Sequence, residues 1–420
     1  MTVRLTRLPS GLRIVTDDNA AVKTAAIGVF AGIGSRHERA DEHGLAHLLE
    51  HMAFKGTRRR NALQIAETIE NVGGDLNAET SAEQTGYFAH VLAEDLPVAV
   101  DVLADIYIDS QFDLEELARE KNVILQEIGA VEDTPDDLIF DLTSAAAWPD
   151  QPLGRPILGS RESVAGFERD AIRGYLGRNY RAGSTLVVGA GAVDHDALVA
   201  LAGEKLAALE PTDIEPPSVA RYAGGQTLIK KPLEQTHIVV AFEGRGIGAD
   251  DSDAAYVFAA ATGGGMSSRL FQEVREKRGL AYSVHAFHWG FAETGLFGFY
   301  GGCEAKKAGE LVAAALDCLA DATEGLSETE VARAKAQMKV STLTALESPT
   351  ARIQQLARQT FCYGAPLTLA EMTARIDRIT VADARAVGAA MLKSAPTVTA
   401  VGRIGKVTGA AGVARRLARG

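Results

Sequence analysis

The chain has 420 residues, 46% of them hydrophobic, and a formal net charge of −12 at pH 7. This length and composition are typical of a globular protein of two or three domains, and the acidic balance argues against nucleic acid as the main partner. There is no apolar run long enough for a membrane span and no secretory or transit signal at the start, so we expect a cytoplasmic protein.

Two strands and a helix are predicted first. The apolar segments Leu12–Val15 and Ala25–Phe30 predict strands, and Gly44 then closes a polar loop. The apolar residues that follow Gly44 recur at spacings of three and four: Leu45, Leu48, Leu49 and Met52. This periodicity predicts an amphipathic helix with its apolar side in a core.

The opposite side of that helix carries His47, Glu50 and His51. Residues four apart on a helix lie on one face, so both imidazoles can bind a single zinc ion. Glu50 directly precedes His51 and can reach a water at the metal without being a ligand. This is the H-x-x-E-H pattern, the reverse of the H-E-x-x-H order. The sequence therefore predicts a zinc site that still lacks its third protein ligand.

A later helix offers two candidates for that ligand. Asp113 is the predicted N-cap of a helix that extends to Asp133. Glu120 and Glu127 are seven residues apart on this helix, which places them two turns apart on one face. Either carboxylate could bind the metal, and the other would then lie close enough to support the site. A solvated acidic helix face is the alternative interpretation.

A proline-rich segment, Leu209–Val219, divides the chain near its middle. Each half opens with strands and continues with a helix and further strands, without regular alternation of strand and helix. We therefore predict an α+β fold of two duplicated domains, each a mixed, mostly antiparallel sheet packed with helices. The predicted boundaries are residues 1–210 for an N-terminal zinc-binding domain, 211–222 for a linker and 223–420 for a C-terminal domain without a metal site.

The second half offers no equivalent metal site. The helix predicted at Ser267–Lys277, interpreted as the counterpart of the His-bearing helix, contains no histidine. His285 and His288 lie three apart in a predicted strand, which points them to opposite faces. The cysteines are dispersed without metal-binding spacing, so we expect reduced thiols at Cys303, Cys318 and Cys362.

Four segments together resemble one protein family. They are Gly44–Thr57, Gly73–Ser81, Gly263–Phe271 and Arg275–Tyr282. They are similar to motifs of the insulinase/pitrilysin (inverzincin) family of zinc metallopeptidases, and most of all to its mitochondrial processing peptidase beta-like branch and the short bacterial members. The resemblance extends over nearly the whole chain.

The resemblance assigns roles that the spacing of the residues leaves open. It implies one Zn²⁺ per chain, held by His47, His51 and Glu127. It implies that Glu50 is the general base. It places Glu120 outside the ligand set, in support of the ligands.

Further residues match the family's substrate contacts. Relatives bind the substrate backbone along an edge strand, as in β-augmentation, where an added strand gains main-chain hydrogen bonds. The matching substrate-binding positions are Phe54, Asn77, Ala78 and Thr80. Arg275 and Tyr282 match an Arg and a Tyr that act on the substrate and the developing oxyanion, so the resemblance gives them a catalytic role.

The function implied by the resemblance is a zinc-dependent endopeptidase that cleaves unfolded peptides or presequence-like segments inside a chamber formed by a dimer. Half-size relatives assemble in pairs, so we expect a homodimer, with a heterodimer containing a related chain as the alternative. Three other functions stay open: a zinc-site subunit of an obligate heterodimeric peptidase, a non-catalytic structural or assembly subunit of the same fold, and a zinc hydrolase that acts on substrates other than peptides.

Overall fold

The structure is a computed structural model that describes residues 2–212 and 214–418. Asp213, in the predicted linker, and the outermost residues of the predicted domains, Met1, Arg419 and Gly420, lie outside the described residues. None of the helices within the described ranges is both long and apolar enough to cross a membrane.

The helices and strands of the first half of the chain, in order, are β1 (Thr2–Arg7), β2 (Arg13–Asp18), β3 (Thr24–Ala31), α1 (Leu45–Ala53), α2 (Ala62–Glu70), β4 (Asp75–Thr80), β5 (Thr85–Leu92), α3 (Leu96–Ile108), α4 (Leu114–Asp133), α5 (Pro135–Ala147), α6 (Arg161–Gly166), α7 (Arg169–Asn179), β6 (Thr185–Gly191) and α8 (His195–Lys205).

Those of the second half are β7 (Gly225–Lys230), β8 (Gln235–Glu243), α9 (Ser252–Gly263), a π-helical segment (Phe271–Lys277), β9 (Ala281–Gly290), β10 (Gly295–Glu304), α10 (Ala308–Gly325), α11 (Glu328–Thr344), α12 (Pro349–Tyr363), α13 (Leu369–Asp377), α14 (Val381–Met391), β11 (Thr397–Gly402) and α15 (Ala410–Leu417).

The first sheet has the strand order β1-β2-β6-β3-β5-β4 over the part of the chain that the structure describes. Its pairs are antiparallel except for the parallel pair β2–β6. Successive side chains of a strand point to opposite faces of the sheet. Both faces of this sheet are buried by helices. One packs against α1, α2 and α3, and the other against α12. β4 lies at the edge of the sheet, next to α1.

The second sheet has the order β7-β11-β8-β10-β9 within the same described ranges, with β7–β11 as its parallel pair. One face packs against α9 and α10, and α5 packs against β7, β11 and β8. Both sheets are mixed and mostly antiparallel and are covered by helices. The predicted α+β class with two similar domains is therefore confirmed.

The two compact units differ from the contiguous domains that the sequence predicts. Among the described residues, one unit comprises residues 2–129, 155–212, 214–218 and 343–368, and the other comprises residues 130–154, 219–342 and 369–418. The helix α5 therefore belongs with the second sheet, although it lies in the first half of the sequence. Conversely, α12 belongs with the first sheet.

Specific packing accounts for this exchange of helices. In α5, Thr143 Oγ1 lies 2.5 Å from Thr399 Oγ1 on β11, and Phe140 packs against Phe287, Trp289 and Tyr300. In α12, the buried apolar residues join the outer face of the first sheet: Ile353, Leu356 and Ala357. Apolar periodicity shows that a helix has a buried side but not which sheet buries it, so the sequence alone does not indicate this exchange.

The structure also corrects the predicted counterpart of the His-bearing helix. α1 follows β3, and the helix that follows β8 is α9, whereas the segment Phe271–Lys277 precedes β9 as α2 precedes β4. Nine of the residues of α9 are buried, among them Ala255, Phe258 and Thr262. An apolar helix that is enclosed on most sides leaves no open face for metal ligands.

A buried ion pair ties α12 to the first sheet. Arg352 Nε lies 2.7 Å from Asp17 Oδ2 on β2, and the two side chains are only 5% and 3% exposed. Removing one partner of such a pair leaves an uncompensated buried charge, which typically costs about 3–5 kcal/mol.

We therefore predict that Arg352→Met lowers the free energy of unfolding of the first unit by about 3–5 kcal/mol. The measurement is chemical denaturation of the full chain followed by circular dichroism. The double variant Arg352→Met/Asp17→Leu should recover much of the loss, because it removes both charges. Arg4→Met, which breaks the exposed pair with Asp196, is the control and should change little. A similar loss in both single variants would contradict the prediction.

Candidate metal centre

The helix α1 has the predicted position and orientation. Its four apolar residues are buried in the core of the first unit: Leu45, Leu48, Leu49 and Met52. The side chains of His47 and His51 stay partly accessible on the other side. Gly44, at the N-cap, has φ of 96°, and a Cβ there would lie 2.7 Å from Gly159 Cα. Glycine therefore permits the sharp turn into the helix.

The helix α4 brings a carboxylate to the two imidazoles. It begins after Asp113, whose Oδ1 accepts hydrogen bonds from the backbone N–H groups of Glu115 and Glu116, so the predicted N-cap is confirmed. Glu127 Oε2 lies 3.8 Å from His47 Nε2 and 3.7 Å from His51 Nε2. Within the described ranges, this is the one group of three or more His, Cys, Asp or Glu side chains whose ligand atoms could hold a metal ion, and these atoms lie within 4.8 Å of one another.

The surroundings of the two imidazoles suit metal binding. Burial, together with the nearby His51, lowers the pKa of His47 to about 4, so the ring is neutral at pH 7. His51 Nδ1 lies 2.9 Å from Glu120 Oε2. A carboxylate at this nitrogen keeps the proton on Nδ1 and leaves the Nε2 lone pair for a metal. Two imidazoles and one carboxylate are the kind of donor set that holds a catalytic zinc ion.

Glu120 takes the supporting position that the resemblance implies. Its side chain is 8% exposed, and its other oxygen, Oε1, lies 2.7 Å from Lys55 Nζ. Burial alone would raise the pKa of Glu120, but the hydrogen bonds from Lys55 and His51 outweigh burial and lower it. The carboxylate is therefore ionised and directed away from the Nε2 atoms of the histidines.

Glu50 stands beside the ligand group and outside it. The Thr80 hydroxyl, on β4, donates a hydrogen bond to Glu50 Oε2. Burial raises the pKa of Glu50 above its ordinary value, and the hydrogen bond from Thr80 opposes this shift. A carboxylate that is partly desolvated, with its pKa above the ordinary value, and that is held in place is suited to accept a proton.

The predicted substrate-binding residues lie around α1 and β4. Phe54 ends α1 and packs beside Tyr87, with their ring centroids 6.2 Å apart. Asn77 is exposed on β4, and its Oδ1 accepts a hydrogen bond from the N–H of Ala78. The contact of Thr80 with Glu50 is a role that the sequence did not indicate. Binding of substrate by these four residues stays a prediction.

The predicted catalytic pair of the second half lies in the second unit. The Arg275 guanidinium stacks on Tyr282, 4.6 Å from the ring centroid, and lies 4.7 Å from the centroid of Phe271. Tyr282 is 77% exposed. Arg275 and Tyr282 are therefore in contact with each other, and their action on a substrate stays a prediction.

Sequence reasoning missed the residue that caps α1. Glu38 is buried, and its two oxygens accept hydrogen bonds from the N–H groups of Gly44 and Ala46, at 3.0 and 2.8 Å. Burial raises the pKa of Glu38 to about 8, although both hydrogen bonds oppose the shift. The cap lies six residues before Gly44, outside the spacing of the usual capping motifs, so local sequence carries no signal for it.

We predict that the purified chain binds one zinc ion and that His51→Ala weakens the binding by more than about a hundredfold, because loss of groups that only support a ligand already costs about 10–100-fold. Zinc affinity is measured by competition with a chromogenic chelator, and zinc content by mass spectrometry. His285→Ala, at an exposed histidine of β9, is the control and should bind zinc as the unaltered chain does. Equal affinity of the two variants would contradict the assignment.

The sequence matches two family models. One, described as Insulinase (Peptidase family M16), covers residues 13–161, and the other, described as Peptidase M16 inactive domain, covers residues 166–338. The chain is 40% identical over 411 residues to an uncharacterized zinc protease of Streptomyces coelicolor, a match that covers 96% of this chain and 90% of the relative. It is 37% identical over 374 residues to the uncharacterized zinc protease YmxG of Bacillus subtilis, with 88% of this chain and 91% of the relative covered.

A solved structure has the same fold. One chain of complex III2 from Candida albicans with Inz-5 bound superposes with a TM-score of 0.88 at 23% identity, and the match covers 99% of this chain and 100% of that chain. At this identity the likeness concerns the fold alone. The family models and the relatives agree with the family resemblance found in the sequence motifs, and the chain belongs to the insulinase family, peptidase family M16.

Proposed function

We propose that this protein is a zinc-dependent endopeptidase that cleaves unfolded peptides or presequence-like segments. The observation that carries the proposal is the placement of Glu50 between the ligand group and Thr80 of the edge strand β4. A base, a metal site and a strand edge able to hold a peptide thus meet in one unit. The predicted zinc cofactor agrees with the family and with the description of relatives as zinc proteases.

Each residue of the centre has a defined task in peptide hydrolysis. A zinc ion, when bound by His47, His51 and Glu127, supplies Lewis acidity that polarises the scissile carbonyl and activates water. Glu50 accepts the proton of the attacking water and passes it to the leaving amine. The hydrogen bond from Thr80 favours the ionised form of Glu50 and orients its carboxylate.

The substrate is proposed to bind as an added strand on β4. This strand pairs with β5 on one side and forms the edge of the sheet. Its outer N–H and C=O groups can pair with an extended peptide of any sequence, whereas a folded protein has few free strands to offer. This favours unfolded peptides as the substrate class.

Arg275, Tyr282 and the assembly complete the proposal. The exposed arginine–tyrosine stack is proposed to donate hydrogen bonds to the substrate carbonyl oxygen, where negative charge develops. The chain is proposed to work as a homodimer that encloses a chamber. Light scattering coupled to gel filtration measures the assembly, and a monomer that is fully active would contradict the dimer.

Our central prediction is that the unaltered chain cleaves a pool of unstructured peptides and that Glu50→Gln lowers the rate by at least about a hundredfold, since general base catalysis contributes about 10²–10⁴-fold. Cleavage is followed by mass spectrometry, and zinc content is measured in the same samples. Glu67→Gln, at an exposed position of α2, is the matched control. Undiminished cleavage by Glu50→Gln would overturn the proposed mechanism.

The same assay, repeated with a related chain added and with ester substrates, separates the alternatives. A chain that binds zinc and cleaves nothing alone, but does so with a related chain, is a subunit of an obligate heterodimer. A chain that stays inactive with such a partner is a structural or assembly subunit. Hydrolysis of esters without hydrolysis of peptides would identify a different zinc hydrolase.

The contact between Thr80 and Glu50 predicts a pH effect. Glu50 must be ionised to act as a base, so activity falls as the pH decreases through its pKa. The Thr80 hydroxyl favours the ionised form, and Thr80→Val should therefore move the acidic limb of the kcat/KM profile to higher pH. Thr68→Val, which removes a hydroxyl from α2, is the control. An acidic limb that stays in place, or moves to lower pH, would contradict this role.

A further inference from the structure

Lys55 is the second residue after α1, and its side chain contacts α4. Its backbone N–H donates a hydrogen bond to the carbonyl oxygen of Met52, which fixes the turn after the helix. Its side chain is 30% exposed, and its Nζ lies 2.7 Å from Glu120 Oε1. The ammonium group therefore contacts the oxygen of Glu120 that His51 does not contact.

Glu120 uses both of its oxygens. Oε1 accepts from Lys55, and Oε2 accepts from His51 Nδ1 at 2.9 Å. The side chain of Glu120 is 8% exposed, so the hydrogen bonds from these two groups replace much of its contact with water. A carboxylate with two occupied oxygens has its orientation fixed, because a rotation that frees one oxygen breaks a charge-assisted hydrogen bond.

This orientation decides which glutamate can be a ligand. Glu120 and Glu127 lie on one face of α4, two turns apart, and the sequence allows either one to bind the metal. In the structure, Glu127 Oε2 faces the Nε2 atoms of both histidines, while Glu120 faces Nδ1 of His51. The contact with Lys55 holds Glu120 on this second nitrogen.

We propose that Lys55 is a positioning residue for the metal centre. It holds the Glu120 carboxylate on His51 Nδ1 and thereby keeps Glu120 from becoming a metal ligand. It acts through Glu120, with which its ammonium group is in contact. The proposal rests on the zinc centre of the proposed function but does not require peptidase activity, so metal binding alone can test it.

The test compares Lys55→Met, Lys55→Gln and Lys55→Arg in the full chain. We expect Lys55→Met to weaken zinc binding by about tenfold, at the lower end of the effect of altered groups around metal ligands. Lys55→Gln, which keeps a hydrogen-bond donor without the charge, should lie between this variant and the unaltered chain, and Lys55→Arg should restore most of the affinity. Zinc affinity is measured by chelator competition, and thermal unfolding of the metal-free variants reports whether they fold.

Cobalt substitution gives a readout that loss of stability would not move. The visible absorption of Co²⁺ depends on the identity and geometry of its ligands, so a shifted carboxylate should alter the spectrum of Lys55→Met while Lys55→Arg keeps the original one. In a Glu120→Gln background, Lys55→Met should add no further loss of zinc affinity, because the residue acts through Glu120.

Lys121→Met is the matched control. Lys121 follows Glu120 on α4, but its Nζ donates to the carbonyl oxygen of Ala165. The variant removes the same charge from the same neighbourhood and should leave affinity and spectrum unchanged. Unaltered zinc affinity and cobalt spectrum in Lys55→Met and Lys55→Gln, or an equal loss in Lys121→Met, would overturn the proposal. If the unaltered chain bound no zinc, the proposed function would fail as well.

Discussion

The burial of α1 and α4 in one core is the constraint on which the centre depends. The apolar residues of α1 and those of α4, among them Leu117, Ile124 and Ile128, belong to one buried cluster. Each helix alone carries side chains of the right type at the right spacing, but a helix supplies ligands from one direction only. The shared core fixes the distance between Glu127 and the two imidazoles. Hydrophobic burial of the apolar faces of the two helices therefore positions their polar faces, which carry the metal ligands.

Local sequence predicts a large part of this arrangement. The spacing of His47, Glu50 and His51, and the start of α4 at Asp113, follow from patterns within one or two helical turns, and the structure has them as expected. The contacts made to the centre by residues that are distant in sequence are not indicated by any local sequence pattern. Glu38 caps α1 across a loop, and Thr80 reaches Glu50 from another element. Such contacts depend on tertiary packing, which periodicity does not encode.

The choice between Glu120 and Glu127 shows where reasoning from spacing ends. Both side chains satisfy the same geometric rule on α4, and the family resemblance separates them only by analogy. The structure separates them by their surroundings, since one carboxylate is enclosed by a lysine and an imidazole nitrogen and the other is 40% exposed beside two Nε2 atoms. The duplicated half shows the reverse case, because α9 keeps the place of α1 in the fold but has an apolar sequence that its surroundings enclose.

The exchange of α5 and α12 has a consequence for the synthesis of the protein. The unit with the metal centre includes residues 343–368, which are made long after His47 and Glu127. During synthesis on the ribosome, one face of the first sheet stays without its covering helix, α12, until most of the chain has emerged. A break of the backbone in the proline-rich segment would likewise leave each fragment without a helix that its own sheet requires. The two halves of this duplicated chain are therefore separate in sequence but cannot mature independently.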